Sequence, residues 1–508
     1  MTPLKELGSI GYIADQEGYE LLPAGFSYVK NIRFSRGWAE RGGGYSQVFT
    51  NTAVIPYFIT PYSTATINYI VHAGLAAVYV DDGTTRTNIT GTAPTGVVND
   101  KWTGGASSGI LVLNNGKDIP QYWAGTGTLA SLPGWTSTWR AKAIRPFKGF
   151  GVAMNITKGA VNYPHMVKWS HEADPGAIWS SWDEADPSKD AGEQDVAETP
   201  DLMVDGLQMG DIFVLYKQRS MYAMQDIGGV QVFRFYRLPG DVGMLTQGCA
   251  VQVPQGHVVL TAGDLIVHNG QGPRSLIDGK ARQWLTDNMD ASNYTAAFVT
   301  TNQAKREVWA CFPGVGQSAC TKALVWNWAD ETISQIDLPN VTYAAPGVSA
   351  ASSATWTGIA GTTWAGASGT WSDYSRFAAN DVRLFMGSTA SKIFVADGSP
   401  SALGASFEAT LERTGLHFDE PQKVKFCRAA WPKIDAPTGT QVMIQVGGSF
   451  DPETSPTWSA PQTFTCGTSA KIDVLVSGRY LAYRLYSNDI KPWRIRSIDF
   501  DISINGKY

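Results

Sequence analysis

Six short stretches of this chain share one loose pattern: a small or charged residue, a few apolar residues, then a turn. They are AGLAAVYVDDG from Ala73, SGILVLNNG from Ser108, KGFGVAMNITKG from Lys148, GDIFVLYKQRS from Gly210, GDLIVHNGQG from Gly263 and REVWACFPG from Arg306. Their starts fall roughly 30 to 60 residues apart, the period of β-propeller blades, each a four-stranded meander that buries both faces only when neighbours pack around a ring. Unrelated hairpins in stacked sandwiches are the competing arrangement. Helical periodicity is nearly absent, and the 53 glycines, 26 prolines, 18 tryptophans and 17% charged residues fit many turns and aromatic packing. The expected fold is all-β: a β-propeller of about six blades with a C-terminal β-sandwich-like domain.

The expected divisions are a lead-in segment at 1–52, a propeller at 53–398 and the sandwich-like domain at 399–508. Within the propeller, 340–380 is poor in charge and rich in Ala, Gly, Ser and Thr, with Trp356, Trp364 and Trp371 at spacings of eight and seven. Such a composition builds no core of its own, so a long loop with docking tryptophans is expected. Residues 381–398 read as one further hairpin. In RSIDFDISING, Ile498, Phe500, Ile502 and Ile504 alternate with polar residues, giving the one wet face of an antiparallel sandwich.

Chemistry is harder to find. The six histidines show no metal or zincin spacing, and no GxSxG elbow offers a nucleophile. His72 and His268 lie inside apolar strands and read as hydrogen-bonded core residues. The five cysteines lack a CxxC pair, so a disulfide framework or zinc site is not indicated, and buried thiols are expected. No run of 18 apolar residues and no leader pattern appears, which leads to the expectation of a soluble protein made in a cytoplasm. Gly42-Gly43-Gly44 lacks the Lys-Ser/Thr ending of a P-loop, and a backbone turn is expected there.

One enzymatic lead is WSHEADPGAIWSSWDEADP from Trp169, where carboxylates sit among indoles that could stack on sugar rings. Within it, Asp174 to Trp179 resembles the Asp-box turn of sialidase propellers, with Glu172 in place of its serine and Ile178 in place of its threonine. For nucleic acid, WRAKAIRPFKGF from Trp139 interleaves aromatics and cations. A strand pair with snorkelling bases is the reading that the overall acidity favours, since a net charge of −5 argues against a tight grip on phosphates. Charge is segregated: residues 119–171 carry Arg140, Lys142, Arg145, Lys148, Lys158 and Lys168 with no acid. The next forty residues hold twelve acids, among them Asp183, Glu184, Asp186 and Asp190, against Lys189 alone. Such blocks suggest an interaction surface, solvated loops being the plainer reading.

Several segments in order, GFSYVKNIRFSRGWAERGGG, PHMVKWSHEADPGAIW, GDIFVLYKQRSMYAMQDIGG, VVLTAGDLIVHNG, ARQWLTDNM, the tryptophan-spaced loop and WRIRSIDFDISINGKY, are similar to the tail hub or nozzle (packaged-DNA stabilisation) proteins of short-tailed, podovirus-like bacteriophages. The resemblance spans nearly the whole chain; the acidic segment 188–198 has no counterpart in it. It implies a structural virion protein without catalysis or cofactor, assembled in the host cytoplasm into the phage tail. The implied partners are further copies in a homohexameric ring, an adaptor (head-to-tail connector) protein, a tail fibre or tail tip protein, and double-stranded DNA that passes without sequence-specific binding. A host cell surface is a further possible contact. The alternative reading is a tail-associated propeller that binds or cleaves host polysaccharide. In the nozzle reading Arg140, Lys142, Arg145 and Lys148 would face Asp183, Glu184, Asp186 and Asp190 of a neighbouring copy, since a ring joins unlike surfaces.

Overall fold

The structure, a computed structural model, describes residues 2–64, 67–107, 109–229, 231–348 and 382–507. Five consecutive four-stranded antiparallel meanders form separate sheets at residues 58–88, 103–131, 139–195, 203–237 and 250–275. Their strand composition follows from burial on both faces. In Ile110–Asn114, Leu111 and Leu113 pack with Phe58 and Val71 of the preceding sheet, whereas Ile110 and Val112 pack with Ala141 and Ile144 of the next. An unbroken apolar run therefore splits by its period of two between two neighbours.

The sixth and seventh blades are fused. Phe298–Asn302, Glu307–Pro313, Cys320–Asn327 and the first half of Thr332–Val348 make the sixth. At Asn340, in a left-handed conformation with φ +51°, the chain turns and its second half becomes the inner strand of the seventh. Val382–Ser388 and Lys392–Ala396 follow, and Tyr45–Gln47 from the far end of the chain supplies the outer strand. The inner strands touch in succession and the seventh meets Phe58–Ser63 of the first, which closes the ring. The propeller thus has seven blades against about six expected, because the last is assembled from distant pieces. Of the loop expected at 340–380, residues 341–348 are inner strand; Trp356, Trp364 and Trp371 lie outside the described residues.

The second body is a sandwich of two six-stranded sheets. One holds Lys423–Asp435, Ile472–Gly478 and Arg494–Lys507 with Thr2–Leu4, Ile32–Ser35 and Trp38–Arg41. The other holds Ala409–Leu416, Gln441–Ser449, Thr457–Trp458, Gln462–Thr465 and Tyr480–Ser487 with Tyr28–Lys30. Phe26, Val29, Ile32 and Phe34 share its core with Leu411, Tyr483, Ile498 and Phe500. Segment 1–52 is therefore no separate lead-in: most of its first forty or so residues complete the sandwich, Gly11–Tyr12 with Gly25–Phe26 joins the sheet of the sixth blade at Ile333, and 45–47 complete the propeller.

The chain crosses between the bodies twice, side by side. Gly44 N donates to Ser399 O at 2.7 Å, Tyr45 N to Ser401 O at 2.8 Å and Asp397 N to Gly44 O at 2.9 Å. Gly42, Gly43 and Gly44 are absent from the left-handed region, so the turn expected there is not their purpose. Gly43 and Gly44 are small because the two crossings touch, and Gly42 because it lies against the carbonyl of Asn31.

Candidate functional site

The axis of the propeller is bridged. Arg145 on the third inner strand clamps Asp205 on the fourth through Nε to Oδ1 at 2.9 Å and Nη2 to Oδ2 at 2.6 Å, and its Nη1 donates to Gly104 O at 3.0 Å. Gly248 N donates to the same carboxylate at 3.0 Å. Gln247, leading into the fifth blade, reaches Lys142 O at 2.6 Å. Lys101, leading into the second blade, crosses to the fifth and sixth, where Nζ donates to Gln247 O at 2.8 Å and Ala297 O at 2.7 Å. Tyr343 fills the remaining side with its ring 5.0 Å from Phe58 and 5.1 Å from Phe298. Bidentate and carbonyl-capped cations of this kind fix geometry more than they add stability.

Above Lys101 lies a pocket of about 340 Å³, lined by Tyr57, Trp102, Ala296 and Val341 at the starts of inner strands. Leu75, Ser318 and Thr389, from turns between second and third strands, complete its rim. In a meander these two sets share one face. The sandwich packs on the other, where Asn327 Nδ2 donates to Phe34 O at 3.3 Å and Arg36 N to Asp330 Oδ2 at 3.0 Å. Burial lowers the ammonium of Lys101 from its ordinary value. Among the described residues no carboxylate pairs with it. Nothing in the sequence around Lys101 marks it; its role depends on a ring that only the fold creates.

A larger cleft, about 1000 Å³, separates the bodies. Arg33, 2% exposed, donates from Nη1 to Asp397 Oδ1 at 2.5 Å and sits with Nε 3.4 Å from Glu307 Oε1. Asn302 Nδ2 donates to Asp397 at 2.9 Å and Trp309 Nε1 to Glu307 at 3.0 Å. Burial pushes Glu307 up to about 7 despite Arg33, whose charge Asp397 shares. Arg41 caps Pro400 O at 2.7 Å and stacks on Phe407 at 3.9 Å, and Arg494 pairs with Asp435 at 2.6 Å. These groups brace the junction.

The charge blocks meet inside one chain. Lys168 pairs with Glu184 and, at 3.0 Å, with Glu193, while Lys158 holds Glu193 at 2.6 Å. Lys148 pairs with Asp226 at 3.0 Å, and Arg145 is the buried clamp. Arg140 donates to Lys117 O at 2.7 Å, and Lys142 is half-buried and offers its carbonyl to Gln247. Asp183 accepts from Ala185 N, Asp186 from Ser188 N, and Asp190 lies 3.1 Å from His171. Thus Arg145, Lys148 and Glu184 are already spent within the subunit.

The sugar-stacking lead changes as well. Trp179 and Trp182 are buried, the latter edge-on to Trp135 at 4.9 Å, and Trp169 packs on Phe233. Asp174 to Trp179 does form a turn, with Ala177 N donating to Asp174 O at 3.0 Å. His257 and His268 flank Tyr216 Oη at 2.7 and 2.6 Å, and His257 Nε2 donates to Gln208 O at 2.8 Å. That fixes a relay: His268 Nε2–H to Tyr216, Tyr216 O–H to His257 Nδ1. His72 Nδ1 lies 3.1 Å from Asp81. The five cysteines are buried and unbridged, and no group of three potential metal ligands occurs among the described residues. No described helix is long and apolar enough to cross a membrane.

No known protein family and no curated protein matches the chain. Solved structures similar to it include the computationally designed Ika8 protein, at 12% identity and TM-score 0.38, covering 72% of this chain and 95% of that one. PorZ, a surface component of the type-IX secretion system of Porphyromonas gingivalis, is similar at 8% identity and TM-score 0.38; 83% of this chain matches 46% of PorZ. Raptor of Chaetomium thermophilum follows at 9% and 0.36, with coverages of 70% and 29%.

Proposed function

We propose that the chain is a structural subunit of a short phage tail, a nozzle protein whose copies form a six-fold ring between an adaptor protein and the tail tip or fibres. The observation that carries this reading is where the ionisable groups go. Arg145, Asp205, Lys101, Arg33, Glu307 and Asp397 hold blade to blade and body to body, as suits a part that bears load. The ordered segments from GFSYVKNIRFSRGWAERGGG to WRIRSIDFDISINGKY support it too, since the first and last pair within one sandwich sheet.

Because Lys101 bridges the propeller axis, a DNA duplex would run through the space enclosed by several copies. An acidic wall suits that role, because a basic one would hold the polyanion through counterion release and stall its exit. The test against a polysaccharide-cleaving role is direct. Purified protein should leave host polysaccharide intact, and Glu172→Ala, Asp174→Ala and Asp183→Ala phage should stay infectious. Turnover abolished by one of these substitutions would contradict the proposal.

A further inference from the structure

The pocket over Lys101 has features that bracing the ring does not require. Two protons of the Lys101 ammonium are used on carbonyls, which leaves a third and a charge without a carboxylate partner among the described residues. A cation held at the floor of a recess attracts an anion, because partial desolvation strengthens the pairing. Trp102 and Tyr57, both half-buried on the wall, have no intramolecular partner for the indole N–H or the phenol O–H among the described residues. Ser318 and Thr389 add hydroxyls and Asn99 an amide at the rim, and the carboxylate of Asp100, also on the lining, accepts from Val97 N at 3.0 Å. Aromatic faces combined with neutral hydroxyl and amide groups are the chemistry that recognises a sugar ring, and the lysine adds selectivity for an acidic one. The volume, about 340 Å³, falls at the small end of ligand pockets and suits one ring rather than a chain.

We infer that this axial pocket binds a uronic acid residue, its carboxylate on Lys101 Nζ and its ring against Trp102 and Tyr57. Terminal or branching uronic acids of a surface polysaccharide would reach it, because the pocket opens on the propeller face away from the sandwich. The inference goes beyond the tail-ring proposal and stands or falls separately from it: monomeric protein should bind as well as assembled protein.

The test is calorimetric titration of the full chain with sodium glucuronate, glucose and sodium acetate at fixed ionic strength. Glucuronate should bind, and glucose and acetate should each bind at least about tenfold more weakly, the loss of one charge-assisted contact or of the ring contacts. Lys101→Met should weaken glucuronate by a similar factor. If that variant misfolds, Ser318→Trp, at an exposed rim position, should block binding with an unchanged melting curve. Equal binding of glucose would overturn the role of Lys101, and equal binding of acetate the sugar assignment. Absence of glucuronate binding, or binding unaffected by Ser318→Trp, would overturn the site.

Discussion

Gly44 has no room for a β-carbon, since one built there falls 2.1 Å from Ser401 O, a backbone atom that cannot rotate away. Gly44→Ala should therefore cost about 2 kcal/mol or more in urea unfolding, at the upper end of overpacking penalties. Gly272→Ala, where nothing lies within 4 Å and φ is unremarkable, should be close to neutral. The sequence showed three glycines and invited a turn; the second crossing, more than 350 positions away, explains Gly43 and Gly44, and the carbonyl of Asn31 explains Gly42.

Glu307 gives a second residue-scale prediction. Burial raises its folded-state pKa to about 7 from an ordinary 4.5, so the folded protein holds this proton more tightly than the unfolded chain does. Its contribution to stability is complete below about pH 4.5 and is lost as pH rises through 7. Glu307→Gln keeps an acceptor for Trp309 Nε1–H and removes the titration. The melting temperature of the variant should change less between pH 4.5 and 7 than that of the parent; parallel curves would refute the assignment.

At the scale of elements, the relay between the fourth and fifth blades depends on neutral histidines. Burial lowers His257 and His268 to about 4 from 6.5, so their contribution is present above pH 6.5 and lost as pH falls through 6.5 towards 4. Tyr216→Phe would strand two buried ring nitrogens and should cost about 2 kcal/mol or more, measured by denaturant unfolding at pH 7.5. His268 was legible as a core residue from its apolar strand; its partners were not, because pairing across blades follows no local pattern. The same logic governs the blades. Each of the six patterned runs lies in one of the first six blades, where pairing is between sequence neighbours. The seventh joins 341–348, 382–396 and 45–47, and leaves no run to count. A chain begun at residue 53 loses the outer strand of that blade and much of the sandwich. It should elute as aggregate in size-exclusion chromatography, whereas a folded monomer would show that ring closure is dispensable.

At the scale of the whole molecule, an acidic propeller and a sandwich are braced into one unit, with its axis bridged and both ends of the chain in the same sheet. The all-β class and the first half of the alternating C-terminal strand, Ile498 and Phe500, were readable from periodicity, since burial writes itself into local sequence; Ile502 is half-buried and Ile504 exposed, so the expected buried face ends before them. The charge blocks were readable as blocks, but their pairing within a single blade was not, because period and composition say nothing of whether partners lie in one copy or two. Since Lys158, Lys168, Glu184 and Glu193 already neutralise one another, ring formation through other surfaces should persist as salt rises. Electron-microscope class averages of the purified full-length protein test the central proposal most directly. The account predicts a six-fold ring with an open central hole and no passage through the individual propellers; isolated monomers at micromolar concentration, or an open channel along each propeller axis, would contradict it.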